Sequence, residues 1–137
     1  MRVLVIDGQG GNIGRQLVKS IRESFPGTYI RCVGTNSVAT ANMLKGGADE
    51  AATGENAVVV GCDSANIIVG PIGIIVANAL LGEVTEKMAT AISSCCATKV
   101  LIPTNKCDII VAGVGEKNIS MLLEDVMNQI RVVMKKS

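Results

Sequence analysis

The chain is poor in aromatic and imidazole side chains, and this scarcity excludes several kinds of site. Among its 137 residues there are one Phe, one Tyr, no Trp and no His. Binding of single-stranded nucleic acid needs aromatic platforms for base stacking, which this composition cannot provide. Without histidine there is no Cys–His catalytic pair, and a zinc site is disfavoured. We therefore expect no metal site.

Strong charge and long apolar runs are also missing. The net charge is +1, so no basic stripe is available for nucleic acid. The most apolar stretch, residues 67–81, is broken by Gly and Pro and is shorter than the roughly 20 residues that span a bilayer. The five cysteines are odd in number, and no signal peptide precedes them. We expect a cytoplasmic protein with neither a nucleic-acid nor a membrane partner.

Strand-like and helix-like segments alternate along the chain, which is typical of an α/β fold with a parallel sheet. The patterns predict one domain over residues 1–137, with a Rossmann-like doubly wound sheet of five to six strands. Predicted strands cover residues 2–6, 29–33, 49–53, 66–70, 99–103 and 108–114. Residues 71–82 and 84–95 are predicted as two helices or one broken helix, and residues 118–134 as the closing helix. The turn at 104–107 is too short for a crossover helix, so the last strand is predicted to be antiparallel.

A glycine-rich loop, "DGQGGNIG", follows the first strand and opens the first helix. In this context glycines allow a tight turn and the approach of a phosphate to the helix N-terminus. We expect a phosphate-bearing ligand to bind at Gly8, Gly10, Gly11, Asn12, Ile13 and Gly14. The alternative is a purely structural turn between strand and helix.

The second strand ends in "GTNS", where dinucleotide-binding domains carry an acid that binds the ribose 2′-hydroxyl. No carboxylate lies between Glu23 and Asp49. Thr35, Asn36 and Ser37 could instead donate to a 2′-phosphate, which favours NADP over NAD as the cofactor. Alternatively, this loop only caps the second helix.

Other candidate residues follow predicted strands and should lie at the carboxyl ends of the strands, where ligands bind in such sheets. Asp7 faces the expected phosphate, which is tolerable if it caps loop amides or binds a cation. For the candidates other than Asp7, a role as a helix cap or in a turn is an equal alternative to ligand binding. Catalysis by the Cys107 thiol is disfavoured. The remaining candidates are Glu55, Asn56, Gly70, Pro71, Asn105, Lys106 and Cys107.

Five segments carry a resemblance over nearly the whole chain: "VIDGQGGNIG", "GTNSVATANMLK", "ATGENAVVV", "IIVGPIGIIVANALLGE" and "IPTNKC". They resemble a small bacterial family catalogued as a domain of unknown function, which implies no particular activity. More loosely, the order of elements is similar to the NAD-binding regulatory domains of potassium uptake systems. Those domains usually keep an acid after the second strand, and this chain does not.

Two functions remain open on the sequence. The first is a sensor or binding module for a nucleotide, with NADP or NAD favoured. The second is a small oxidoreductase or transferase whose active site is completed by a second subunit, because 137 residues leave no room for a substrate domain. We also expect a homodimer or larger oligomer that shares some of Ile72, Ile75, Val76 and Leu80 between chains.

Overall fold

A computed structural model describes residues 1–104 and 108–136. The strands are β1 (Arg2–Asp7), β2 (Tyr29–Gly34), β3 (Glu50–Thr53), β4 (Ile67–Pro71) and β5 (Thr98–Ile102). The α-helices are α1 (Asn12–Ser24), α2 (Ser37–Lys45), α3 (Glu55–Ser64), α4 (Glu86–Ser94) and α5 (Ile119–Lys135). No helix in the described ranges combines the length and apolar character needed to cross a membrane.

The five strands form one parallel sheet in the order β3-β2-β1-β4-β5. In the centre, Val3 of β1 is aligned with Ile30 of β2 and with Ile67 of β4. The α/β class and the parallel sheet are confirmed. The carboxyl ends of all five strands therefore lie along one edge, which is where ligands bind in such sheets.

Strand β1 is buried on both faces, which explains its continuous apolar sequence. Val3 and Val5 pack in one cluster with side chains of α1, α2 and α5. Leu4 and Ile6 pack in the other cluster with side chains of α3 and α4. Helices therefore cover both sides of the sheet, and β1 is held rigidly at its centre.

The predicted antiparallel last strand is wrong. Residues 108–114 contain no strand, and residues 1–104 and 108–136 form a sheet of five strands, the lower of the five to six predicted. Asp108 and Gly113 have left-handed backbone conformations, with φ of 54° and 87°, which an extended strand does not allow. Strand β5 therefore remains at the edge of the sheet.

The apolar segment 71–82 forms no α-helix. A single 3-10 turn covers Ile72–Ile75, and irregular turns follow it. Asn78, Leu80 and Leu81 have φ of 67°, 56° and 58°, in the left-handed region that disfavours branched side chains. This strained segment brings the chain back toward the glycine loop.

Candidate functional site

The loop between β1 and α1 is a tight, ordered turn. The Gly11 N–H donates to the Gly8 carbonyl at 2.9 Å, and Gln9 lies between them with a left-handed φ of 48°. Gly11 caps α1 with a φ of 73°. This geometry places the N-terminus of α1 at the carboxyl end of the central strand.

The Asp7 carboxylate stabilises the loop by accepting two hydrogen bonds from its backbone and from α1. Its Oδ1 accepts from the Gly8 N–H at 2.8 Å, and its Oδ2 accepts from the Gly14 N–H at 2.7 Å. The residue is only 5% exposed. The carboxylate thus caps amides of the loop and of the first turn of α1, as its sequence position allowed.

Three backbone N–H groups at this helix end have no acceptor within residues 1–104 and 108–136. They belong to Gly10, Asn12 and Ile13. Free amides at a helix N-terminus attract anions because they carry partial positive charge. They are the groups at this site that remain available to an incoming phosphate.

Most of the loop glycines are required by contacts within the protein. A Cβ atom on Gly11 would lie 2.7 Å from the Cα atom of Ala39 in α2, and one on Gly14 would lie 2.8 Å from the Cβ atom of Asp7. A Cβ on Gly8 would lie 2.6 Å from Thr35 Oγ1. Only Gly10 borders open space, where the nearest atom would be 3.9 Å away.

Polar side chains fix the outer rim of the loop. Asn42 in α2 donates from Nδ2 to the Gly10 carbonyl at 2.9 Å and to Asn12 Oδ1 at 3.1 Å. Its Oδ1 accepts from Arg15 at 3.1 Å. Arg15 is exposed and adds a positive charge to the first turn of α1. Arg15 therefore offsets part of the negative charge that Asp7 brings to this loop.

The loop after β2 is already engaged within the protein. Asn36 Oδ1 accepts from the Ala39 N–H at 2.9 Å and so caps α2. Its Nδ2 donates to the Gln9 carbonyl at 2.9 Å. Thr35 and Asn36 lie beside the glycine loop, whereas Ser37 is exposed at the start of α2.

Glu83, which was not among the residues predicted from the sequence, joins the loops that follow β1 and β2. Its Oε1 accepts from the Gln9 N–H at 2.9 Å, from Thr35 Oγ1 at 2.7 Å and from Asn36 Nδ2 at 2.7 Å. Burial opposes the charge, but these three hydrogen bonds hold the pKa of Glu83 below its ordinary value. No motif marks this residue, because it lies 47 positions from Asn36 in the chain.

A small cleft opens above the glycine loop. It is lined by residues 7–13 together with Pro71, Leu80 and Thr104, and its volume is about 80 Å³. Whole nucleotides need pockets of roughly 300 Å³ or more. The cleft therefore suits a group of the size of a phosphate, with the rest of a ligand lying outside it.

The other candidate residues have different positions. Gly70 lets β1 and β4 approach, because a Cβ there would meet the Ile6 carbonyl. Glu55 accepts from Thr85 Oγ1 at 2.6 Å and ties α3 to the N-terminus of α4. Asn56 is exposed, with no side-chain hydrogen bond to any described residue. Asn105, Lys106 and Cys107 lie outside the described residues.

A larger open groove follows β5, with a volume of about 780 Å³. It is formed by residues 109–118 with Pro103, Met121 and Leu122. Its lysine, Lys117, already pairs with Asp125 at 2.7 Å. The cleft at the glycine loop is the better candidate, because it is lined by Gly10, Asn12 and Ile13, whose amides have no acceptor among the described residues.

The chain matches one known protein family over almost its whole length. Residues 2–135 match the model of the family described as "Domain of unknown function (DUF3842)". The chain belongs to this family. A comparison with curated proteins finds no match.

A solved structure shares the fold. It is a dodecameric FMN-dependent UbiX-like decarboxylase from Escherichia coli O157:H7, with a TM-score of 0.53 and 14% sequence identity. The likeness covers 99% of this chain and 94% of that one. At this identity it shows the fold alone.

Proposed function

We propose that the chain binds a nucleotide-type ligand whose phosphate lies at the glycine loop. The observation that carries the proposal is that Gly10, Asn12 and Ile13, whose amides have no acceptor among the described residues, line a cleft of about 80 Å³. These groups can donate to phosphate oxygens without any rearrangement of Asp7. Gly10, the one loop glycine that borders open space, leaves room for the approach.

The strand order supports this position. It matches the first five strands of the Rossmann dinucleotide-binding arrangement, 3-2-1-4-5-6. The order reverses beside β1, and ligands of such sheets bind in the crevice at that point. The glycine loop follows β1, so it lies at this crevice.

The ligand class rests on two further observations. The structural neighbour is described as FMN-dependent, which makes FMN a candidate beside the dinucleotides NADP and NAD. For the dinucleotides, the ribose would lie beside Thr35 and Asn36, because Asn36 contacts the glycine loop through the Gln9 carbonyl. Both, however, donate to the Glu83 carboxylate. A carboxylate repels a 2′-phosphate, so the tertiary structure favours NAD over NADP.

The ionisable side chains favour a binding module over an enzyme. Burial raises the pKa of Cys32 to about 11 and that of Cys62 to about 12, so neither thiol is an activated nucleophile. The lowered pKa of Glu83 keeps it charged and unsuited to donate a proton. An enzyme completed by a second subunit remains the alternative, favoured by the dodecameric decarboxylase that shares the fold.

Calorimetry with NAD, NADP, AMP and FMN tests the proposal. At least one should bind the wild-type chain, and Gly10→Ala should weaken that binding by about tenfold, because the new methyl group meets the phosphate. Gly27→Ala is a matched control, since it also adds a methyl group in open space but at an exposed turn before β2. If none of the four binds at millimolar concentration, or if both variants bind like wild type, the proposal is wrong.

A further inference from the structure

The hydrogen bonds of Glu83 are unevenly divided between its two carboxylate oxygens. Oε1 accepts all three, from the Gln9 N–H, Thr35 Oγ1 and Asn36 Nδ2. Oε2 accepts none from any residue in the described part of the chain. The side chain is therefore fixed by one oxygen, while the other keeps its lone pairs for a further donor.

The partners of Glu83 define its place in the fold. Gln9 belongs to the loop after β1, and Thr35 follows β2 directly. The Thr35 N–H also donates to the Asp7 carbonyl at 3.0 Å, which ties the two strand ends together. Glu83 thus lies across the ends of two neighbouring parallel strands, and it is only partly buried.

A carboxylate in this place has a definite selectivity. Its free oxygen can accept from a sugar hydroxyl, and a hydrogen bond to a charged acceptor is stronger than one between neutral groups. The same charge repels a phosphate attached to that hydroxyl. In parallel sheets that bind dinucleotides, an acid after the second strand binds the ribose 2′-hydroxyl in this way.

We propose that Glu83, supplied by the segment after β4, determines specificity by accepting a hydrogen bond from the unmodified ribose 2′-hydroxyl of the bound nucleotide. This inference rests on the proposed phosphate site at the glycine loop. It assigns to the ligand a free ribose hydroxyl and excludes a 2′-phosphate. Leu80 and Leu81, which precede Glu83 with left-handed φ, belong to the segment that presents it.

Two matched ligand pairs test the inference on the wild-type chain. NAD should bind about ten- to a hundredfold more tightly than NADP, because the 2′-phosphate removes a charge-assisted hydrogen bond and adds repulsion. AMP should bind about tenfold more tightly than 2′-deoxy-AMP. Titration calorimetry measures all four dissociation constants, and no variant is required for this comparison.

Glu83→Gln separates recognition from support of the fold. The amide oxygen can still accept from Gln9, Thr35 and Asn36, while the free oxygen becomes an N–H donor. The NAD-to-NADP affinity ratio should then fall to within about threefold, while the variant remains folded at the temperature of the titration. Glu86→Gln is the control, because it removes the charge of an exposed glutamate three positions further along and should keep the wild-type ratio.

The outcomes are distinct. If neither these four ligands nor FMN binds the wild-type chain, the phosphate site fails and this inference fails with it. If FMN alone binds, the phosphate site stands and only this inference is overturned. If the four ligands bind but each pair binds equally, only the inference is overturned, and Glu83 is a structural tie between two loops. The same conclusion follows if Glu83→Gln lowers the unfolding temperature but keeps the wild-type ratio.

Discussion

At the scale of single residues, two carboxylates organise the loops at the carboxyl end of the sheet. Asp7 accepts from two amides of its own loop and helix, within seven positions in the chain. Glu83 accepts from groups that are 47 to 74 positions away. The first could be anticipated from its place before the glycines. The second required the tertiary structure.

The hydrogen bonds of Glu83 predict a pH dependence of stability. Its pKa in the folded protein lies below the ordinary value of 4.5. The stabilisation is therefore fully present above about pH 4.5 and is lost as the pH falls through the folded pKa. The difference in free energy of unfolding between wild type and Glu83→Gln should shrink between pH 7 and pH 3.

Urea unfolding of both proteins at several pH values measures this difference. Taking the difference between the two free energies of unfolding cancels the contribution of other carboxylates, such as Asp49. The pKa of Asp49 is also lowered, first by the hydrogen bond from the Ile30 N–H and then by Arg22. A difference that is constant across this range would show that Glu83 is not stabilised in its charged form.

At the scale of elements, the glycines of this loop are needed for the close packing of helices, apart from any role in ligand binding. Gly11 allows the backbone of α2 to approach, and Gly14 allows α1 to pack against the end of β1. From the sequence, this pattern was interpreted as a phosphate-binding loop, with a purely structural turn as the alternative. A regular glycine spacing cannot distinguish the two causes, because both demand the absence of a Cβ atom.

Gly11→Ala should therefore weaken the fold. The new Cβ would lie 2.7 Å from the Ala39 Cα and 2.8 Å from its carbonyl oxygen, on a residue whose φ is 73°. We expect a loss of more than about 2 kcal/mol in the free energy of unfolding, from left-handed strain and overpacking. Gly10→Ala, in open space, should change it by less than about 0.5 kcal/mol.

Chemical denaturation of the two variants beside wild type measures both effects. Equal stability of Gly11→Ala and wild type would show that α1 and α2 do not approach as closely as described. A large loss in Gly10→Ala would show that the tip of the loop is packed rather than open.

At the scale of the whole molecule, the segment 71–82 provides both core and surface. Leu80, expected at a subunit interface, is buried within its own chain, and Ile72, Ile75 and Val76 are half-buried. Leu81 is instead 97% exposed. An exposed leucine on a strained backbone suits a contact with a second copy of the chain.

We therefore predict a homo-oligomer that Leu81→Lys weakens. Burial of a leucine side chain contributes about 1.5–3 kcal/mol, so the association constant should fall about ten- to a hundredfold. Val38→Lys, at a residue of α2 that is 65% exposed, is the matched control. Light scattering at tens of micromolar protein measures the mass, and a monomeric wild type would refute the prediction.

Local sequence patterns determined much of this fold. Continuous Val and Ile predicted β1 and β4, and apolar residues at helical spacing predicted α1, because burial on one or both faces leaves a direct trace in the sequence. Asp7 and the glycine loop were found for the same reason, since strand, turn and helix are adjacent in the chain. The polar residues after β2 were predicted either to contact a ligand or to cap α2, and Asn36 does cap α2.

Only the tertiary structure decided the rest. The segment 71–82 is apolar enough for a helix, but Ala79 and Leu80 pack in the core on a backbone with left-handed turns. Residues 108–114 have a strand-like composition, but Asp108 and Gly113 have left-handed backbone conformations that interrupt an extended strand. The Glu83 carboxylate lies at the end of β2, where the sequence itself has no acid, because folding joins the ends of parallel strands that the chain separates by whole helices. Residues far apart in sequence meet there through packing, for which local spacing contains no signal.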